Sequence, residues 1–150
     1  MKVSLWILLA AVAATGCAHP PQPYVLNNAK GGDAVLIVAK SLVRQGHRLA
    51  FVDRKNTELV TYWEDTKYRF RETDDLEDET NIFLRYHVQF REHDNQITVT
   101  AEAQRCVPYD AKITQTEVVS TCIKMNGIFG TQQRLVERLG QSLAASLAGG

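Results

Sequence analysis

The sequence predicts an α+β two-layer sandwich, an antiparallel sheet of about five strands with N- and C-terminal helices packed on one face. Three observations point there. Two segments carry an apolar stripe at helical spacing, one near each end of the region after residue 32. Between them lie β-rich segments in which apolar and polar residues alternate, and that alternation gives the sheet one apolar and one wet face. Helices that bring apolar stripes to such a sheet bury both against its apolar face. The chain is 150 residues long, a length for one domain, with 45% hydrophobic and 23% charged residues. Lys plus Arg and Asp plus Glu are 17 each. That balance leaves no electrostatic footprint for nucleic acid, and three cysteines are too few for a disulfide-dense toxin.

Residues 1–16 read as a leader. Lys2 gives a positive start, and Leu5 to Ala14 form an apolar run of ten residues. That run is half the ~20 residues a permanent membrane helix needs, which is the plan of a secretory signal peptide. The segment closes on Ala14-Thr15-Gly16-Cys17. This resembles the lipobox of bacterial lipoproteins, with Ala14 where that family most often has Leu. The resemblance implies diacylglyceryl transfer to the Cys17 thiol, cleavage before it, and acylation of the new N-terminus with a fatty chain such as palmitate. More than one chain is needed for stable anchoring. Ala18 follows in place of the Asp that, in lipoproteins of enteric-type bacteria, retains the protein at the inner membrane. The expected address is therefore the outer membrane of a Gram-negative bacterium, with the domain in the periplasm. The competing reading is an ordinary secreted protein in which a cysteine happens to follow Gly16.

Residues 17–32 are expected to be a tether. Pro20, Pro21 and Pro23 favour an extended spacer of ~3.1 Å per residue, roughly 45 Å at most over this length. Tyr24, Val25 and Leu26 have the alternative of docking as an edge strand. His19 is read as solvated.

The single α+β domain is expected over 33–150. Asp33 suits an N-cap and Gly46 a C-cap, framing a helix over 33–45. Leu49 and Phe51 alternate in a strand beginning near His47, and Glu58 to Glu64 form its hairpin partner, continuing over Lys67–Arg71 past a bulge near Asp65-Thr66. Residues 72–79 hold six acids in eight and predict a solvated loop; their spacing does not match an EF-hand. Leu84, Tyr86, Val88 and Phe90 then face one way, against Phe83, Arg85, His87, Gln89 and Arg91. After a turn at Glu92–Asn95, Ile97, Val99, Ala101 and Ala103 face inward. A fifth strand spans Glu117 to Met125. Thr131 is positioned to cap a final helix over 131–147, with Leu135, Leu139, Leu143 and Leu147 as its stripe and Gln133 on its wet side.

With Cys17 assigned to lipid, Cys106 and Cys122 remain. Both extend the wet faces of their strands, so a structural disulfide is expected if residue 106 stands opposite 122. Its closed loop predicts a stabilisation of about 3 kcal/mol. Free thiols and a redox pair are the alternatives; neither cysteine lies in a Cys-x-x-Cys motif.

The sequence contains none of the common nucleophile-elbow, zinc-helix, phosphate-loop or dinucleotide signatures. His47, His87 and His93, and the acids Asp74 and Asp75, are residue types that can serve as ligands or acid–base groups, but none sits in a pattern that identifies a metal, cofactor or catalytic site. The stretch from Asp33 to Trp63 resembles the BamC-like helix-grip domains of Gram-negative envelope lipoproteins. Its plan is a helix, Gly46-His47-Arg48-Leu49, a turn at Asp53-Arg54-Lys55-Asn56, and Leu59-Val60-Thr61-Tyr62-Trp63. The resemblance implies helices against an antiparallel sheet and carries no functional residue. The expected function is a non-catalytic protein-interaction or structural module of an envelope complex, held at the membrane through Cys17. The alternative is a carrier or sensor that binds an amphipathic small molecule or lipid between helix and sheet.

Overall fold

A computed structural model describes residues 18–27, 33–53, 57–71, 79–106 and 122–149. Its spine is a pair of long antiparallel strands, β5 (Glu79–Arg91) and β6 (Gln96–Cys106), joined by a short 3₁₀ turn at Glu92–Asp94. Their register runs through eleven residue pairs, from Asn81 opposite Cys106 to Arg91 opposite Gln96. Each long strand has two short neighbours on its outer side. Beside β6 lie β1 (Tyr24–Asn27) and β7 (Ile123–Lys124); beside β5 lie β3 (Glu58–Thr61) and β4 (Glu64–Arg71). The edge strand β2 (Leu49–Asp53) pairs with β3. Among the described residues the sheet therefore has seven strands, where the alternation alone predicts about five.

The two additional strands have identifiable origins. β1 comes from the proline segment: Tyr24 to Asn27 pair with Val99 to Gln96. β3 and β4 are the long second strand of the sequence reading, divided where its pairing with β5 slips. The chain is irregular at Tyr62-Trp63, and the register shifts again between Asp65 and Arg69, with Lys67 at a positive φ of 62°. Extra residues of this kind bend a strand and leave its partner continuous.

The helices are α1 (Asp33–Arg44) and α2 (Gly130–Ala148). Gly46 ends α1 in a left-handed conformation, φ 90°, that frees the His47 N–H to reach the Leu42 carbonyl at 3.0 Å and the Gly46 N–H to reach that of Val43 at 3.0 Å. This is the Schellman arrangement, and a Cβ at residue 46 would be strained. At the start of α2 the cap lies two residues before Thr131. Phe129 is the N-cap residue, and Gln132 reaches back so that its Oε1 accepts the Phe129 N–H at 3.1 Å.

Both helices lie on the apolar face. Val38 and Leu42 of α1 and Val136, Leu139 and Leu143 of α2 form one buried cluster with Leu84, Tyr86 and Val88 of β5 and Ile97, Val99, Ala101 and Ala103 of β6. The small side chains of Ala101 and Ala103 let the helical layer close on the sheet. Between the helices, Ser41 Oγ and Ser146 Oγ meet at 2.8 Å. Ser41 is polar yet buried, because it has that partner. Gln133 is buried for a similar reason. Its Oε1 accepts the Gln22 N–H and its Nε2 donates to the Gln22 carbonyl, both at 3.0 Å, fastening the proline segment to α2.

Candidate functional site

The face of the sheet away from the helices carries an ordered array of charged and aromatic side chains. It follows from the β5/β6 register, which sets Arg85 opposite Glu102 and His87 opposite Thr100, and from β3, which sets Val60 opposite His87 and Glu58 opposite Gln89. Directly opposed residues share a face. Glu102 is the hub. Its Oε2 accepts from Arg85 Nη2 at 2.6 Å and lies 3.5 Å from His87 Nε2, while its Oε1 is 3.8 Å from Lys124 Nζ on β7. On the far side of the imidazole, His87 Nδ1 is 3.3 Å from Glu58 Oε1. Partial burial pushes the Glu102 carboxyl up, but the hydrogen bond and charge of Arg85, with His87 and Lys124, outweigh it and hold the group below its usual value.

The Arg85 guanidinium also lies over the Trp63 ring, 4.7 Å from its centroid. Trp63 belongs to a small apolar cluster with Phe83, Cys106 and Cys122. Phe83 has wet-face parity, yet it is buried, because this end of the open face is closed by Trp63 and the cystine. The period-2 pattern places Phe83 on the correct face and gives no sign of this cover. Cys106 and Cys122 are joined, their Cα atoms 4.5 Å apart. The register Gln104–Lys124 and Arg105–Ile123 carries on to this pair, so the two cysteines stand directly opposite each other.

The remaining candidates are scattered. His47 Nδ1 lies 2.9 Å from both carboxylate oxygens of Glu64, and its ring packs edge-on against Tyr86, centroids 5.5 Å apart. Burial pushes the Tyr86 phenol up, and the negative charge of Glu64 adds to the shift. His93 is fully exposed in the β5–β6 turn with Asp94 Oδ1 at 3.0 Å. His19 pairs through its backbone with Ile128. Cys17, Asp74 and Asp75 lie outside the described residues, as does all but the last of the acidic run 72–79. Among the described residues no three His, Cys, Asp or Glu side chains are grouped to hold a metal ion, and no helix is long and apolar enough to cross a membrane.

A second exposed feature lies at the edge of the sheet. Among the described residues, β2 is paired on one side only. Phe51 and Val52 on this strand are 51% and 43% exposed, and Val43, on the neighbouring helix, is 58% exposed. An unpaired strand with apolar side chains offers both backbone hydrogen-bonding groups and side-chain contact to another chain. The open face supplies fixed charges of both signs and a stacked Arg–Trp pair, a combination suited to recognition of a polar surface. No family model matches the chain, and comparison with curated proteins gives no significant match.

Proposed function

We propose that the chain is a lipid-anchored lipoprotein of the Gram-negative outer membrane, held through Cys17 with its domain in the periplasm. Its α+β body serves as a non-catalytic interaction or structural module of an envelope complex. The address rests on the leader and on Ala14-Thr15-Gly16-Cys17. The observation that carries the interaction role is that, among the described residues, the helices cover one face of the sheet and leave the other, with the Arg85–Glu102–His87–Glu58 array, and the outer edge of β2 uncovered.

The test is site-specific photo-crosslinking in the native envelope. A photoreactive residue is placed in the full-length chain at Gln89 on the open face, at Phe51 on the edge, or at Arg138 on the exposed side of α2. The interaction reading expects a protein adduct of one defined mass from position 89 or 51 and none from 138. Recovery of the protein without adducts but with a bound lipid overturns it in favour of the carrier reading. That reading requires a hollow between helix and sheet, whereas the side chains there form one packed cluster around Ala101 and Ala103.

A further inference from the structure

The proline segment does not behave as a free spacer in the described residues. From His19 onward it is fixed to the domain at three successive points. His19 and Ile128 exchange backbone hydrogen bonds of 2.9 and 2.8 Å. Gln22 is held by the buried Gln133 amide at both its N–H and its carbonyl. Tyr24 begins β1 and packs its ring on Gly140 of α2. The first of these contacts depends on a glycine. A Cβ on Gly127 would lie 2.5 Å from the His19 carbonyl oxygen, so only a residue without a side chain lets the two strands of backbone approach.

Ala18 consequently lines an open hollow of about 400 Å³ at the end of the sheet where β4 and β6 finish and α2 begins. Its other walls include Phe70, Arg105, Ile123, Lys124 and Met125. Phe70 stacks on Phe129 with centroids 5.1 Å apart, and the Arg105 guanidinium lies 5.8 Å from the Phe70 centroid. Ile123 is 53% exposed and the Lys124 side chain 69% exposed. Consecutive Cα atoms are 3.8 Å apart across a trans peptide. The Cα of Cys17 is therefore one such step from a residue of this hollow, whatever its own conformation.

We propose that this end of the domain is its membrane-contact surface. On the reading that Cys17 is acylated, Ile123 and the Phe70 edge meet the headgroup–acyl boundary of the bilayer, and Arg105 and Lys124 meet lipid phosphates. A chain anchored one residue from a folded surface cannot hold that surface far from the bilayer. The residues it presents are apolar and basic, the combination that suits an interface of hydrocarbon below and phosphate above. With 17 basic and 17 acidic residues the sequence is formally neutral, so the attraction is local to Arg105 and Lys124 rather than a property of net charge. The partner is therefore a phospholipid surface, zwitterionic or weakly anionic.

The experiment uses the mature protein purified from bacterial membranes, with the mass of its N-terminal peptide measured first. It is reconstituted into phosphatidylcholine–phosphatidylglycerol vesicles whose acyl chains carry bromine, a short-range quencher of tryptophan. Ile123→Trp reports on the proposed contact, and His93→Trp reports on the opposite end of the β5/β6 pair. Both sites are exposed, and the buried Trp63 gives a common background read from the unsubstituted protein. The expected result is a loss and blue shift of the added emission for Ile123→Trp, with the His93→Trp emission unchanged. Equal quenching at both sites, or none at 123, with a lipid-bearing Cys17 overturns the contact surface and leaves the anchor standing. An N-terminal peptide without lipid on Cys17 overturns the anchor, and the contact surface with it.

Discussion

At the scale of single residues, contacts rather than composition decide what each side chain does. Gly140 sits in the middle of α2, where alanine would ordinarily favour the helix by about 1 kcal/mol. Here a Cβ would overlap the Tyr24 ring. Gly140→Ala should therefore destabilise the protein by about 1–3 kcal/mol, the usual cost of overpacking, as measured by urea denaturation. In a Tyr24→Ala background the same change should become neutral or stabilising. Glu102 makes a prediction in pH. Its folded-state carboxyl lies below the ordinary value of 4.5, so the stability it confers is complete above about that pH and is lost as the pH falls through the lower folded value. Glu102→Gln removes that contribution at neutral pH. The gap between the two proteins in denaturant midpoint should close as the pH is lowered from about 6 through that folded value. A gap that stays constant would refute the ion-pair account.

At the scale of elements, the sequence was most informative where one periodicity ran long. Leu84 to Phe90 and Ile97 to Ala103 alternate without interruption, and the apolar sets of both β5 and β6 are the ones that face the helices. The stripes of α1 and α2 were legible for the same reason. Parity also placed Cys106 and Cys122 on one face. Short elements were not legible. β1 has four residues, and its pairing depends on β6, about seventy positions away, which no local pattern records. Gln133 looked wet because its partner, the Gln22 backbone, is 111 positions distant. The open-face array was half legible: Arg85 and His87 were assigned to the wet side, but their meeting with Glu102 and Glu58 needed the register of three strands. The described part of β7 has two residues and is joined to β6 through the cystine. Reduction should cost about 3 kcal/mol of stability, and Cys106→Ser in reducing buffer should match the reduced wild type. A far smaller loss would show that the closing of this loop contributes little.

At the scale of the whole molecule, one cluster joins both helices to the sheet. Unfolding should therefore be a single cooperative event for the described domain. Leu84 is fully buried at the centre of β5, and Leu84→Ala should lower stability by about 2–5 kcal/mol. Far-ultraviolet circular dichroism and Trp63 fluorescence should still report one coincident transition; separate transitions would mean that α1 or α2 unfolds independently of the sheet. The charged face and the β2 edge, uncovered among the described residues, lie away from that cluster. Phe51→Lys should thus leave the unfolding free energy, measured by urea denaturation, within about 0.5 kcal/mol of wild type, as for surface changes generally.

The clasp of Gln22 by Gln133 has a consequence for how the protein is made. The two residues are 111 positions apart, so during synthesis the earlier one emerges long before its partner exists. Closing so long a loop comes late and slowly. Until α2 has been made, Gln22 lacks the amide that clasps it and Tyr24 lacks the helix it packs on, so the stretch from His19 to Tyr24 is held only after the rest of the body exists. Completion of the C-terminal helix then reels it in, so the arrival of the last helix times the moment at which the two ends of the body are fastened together.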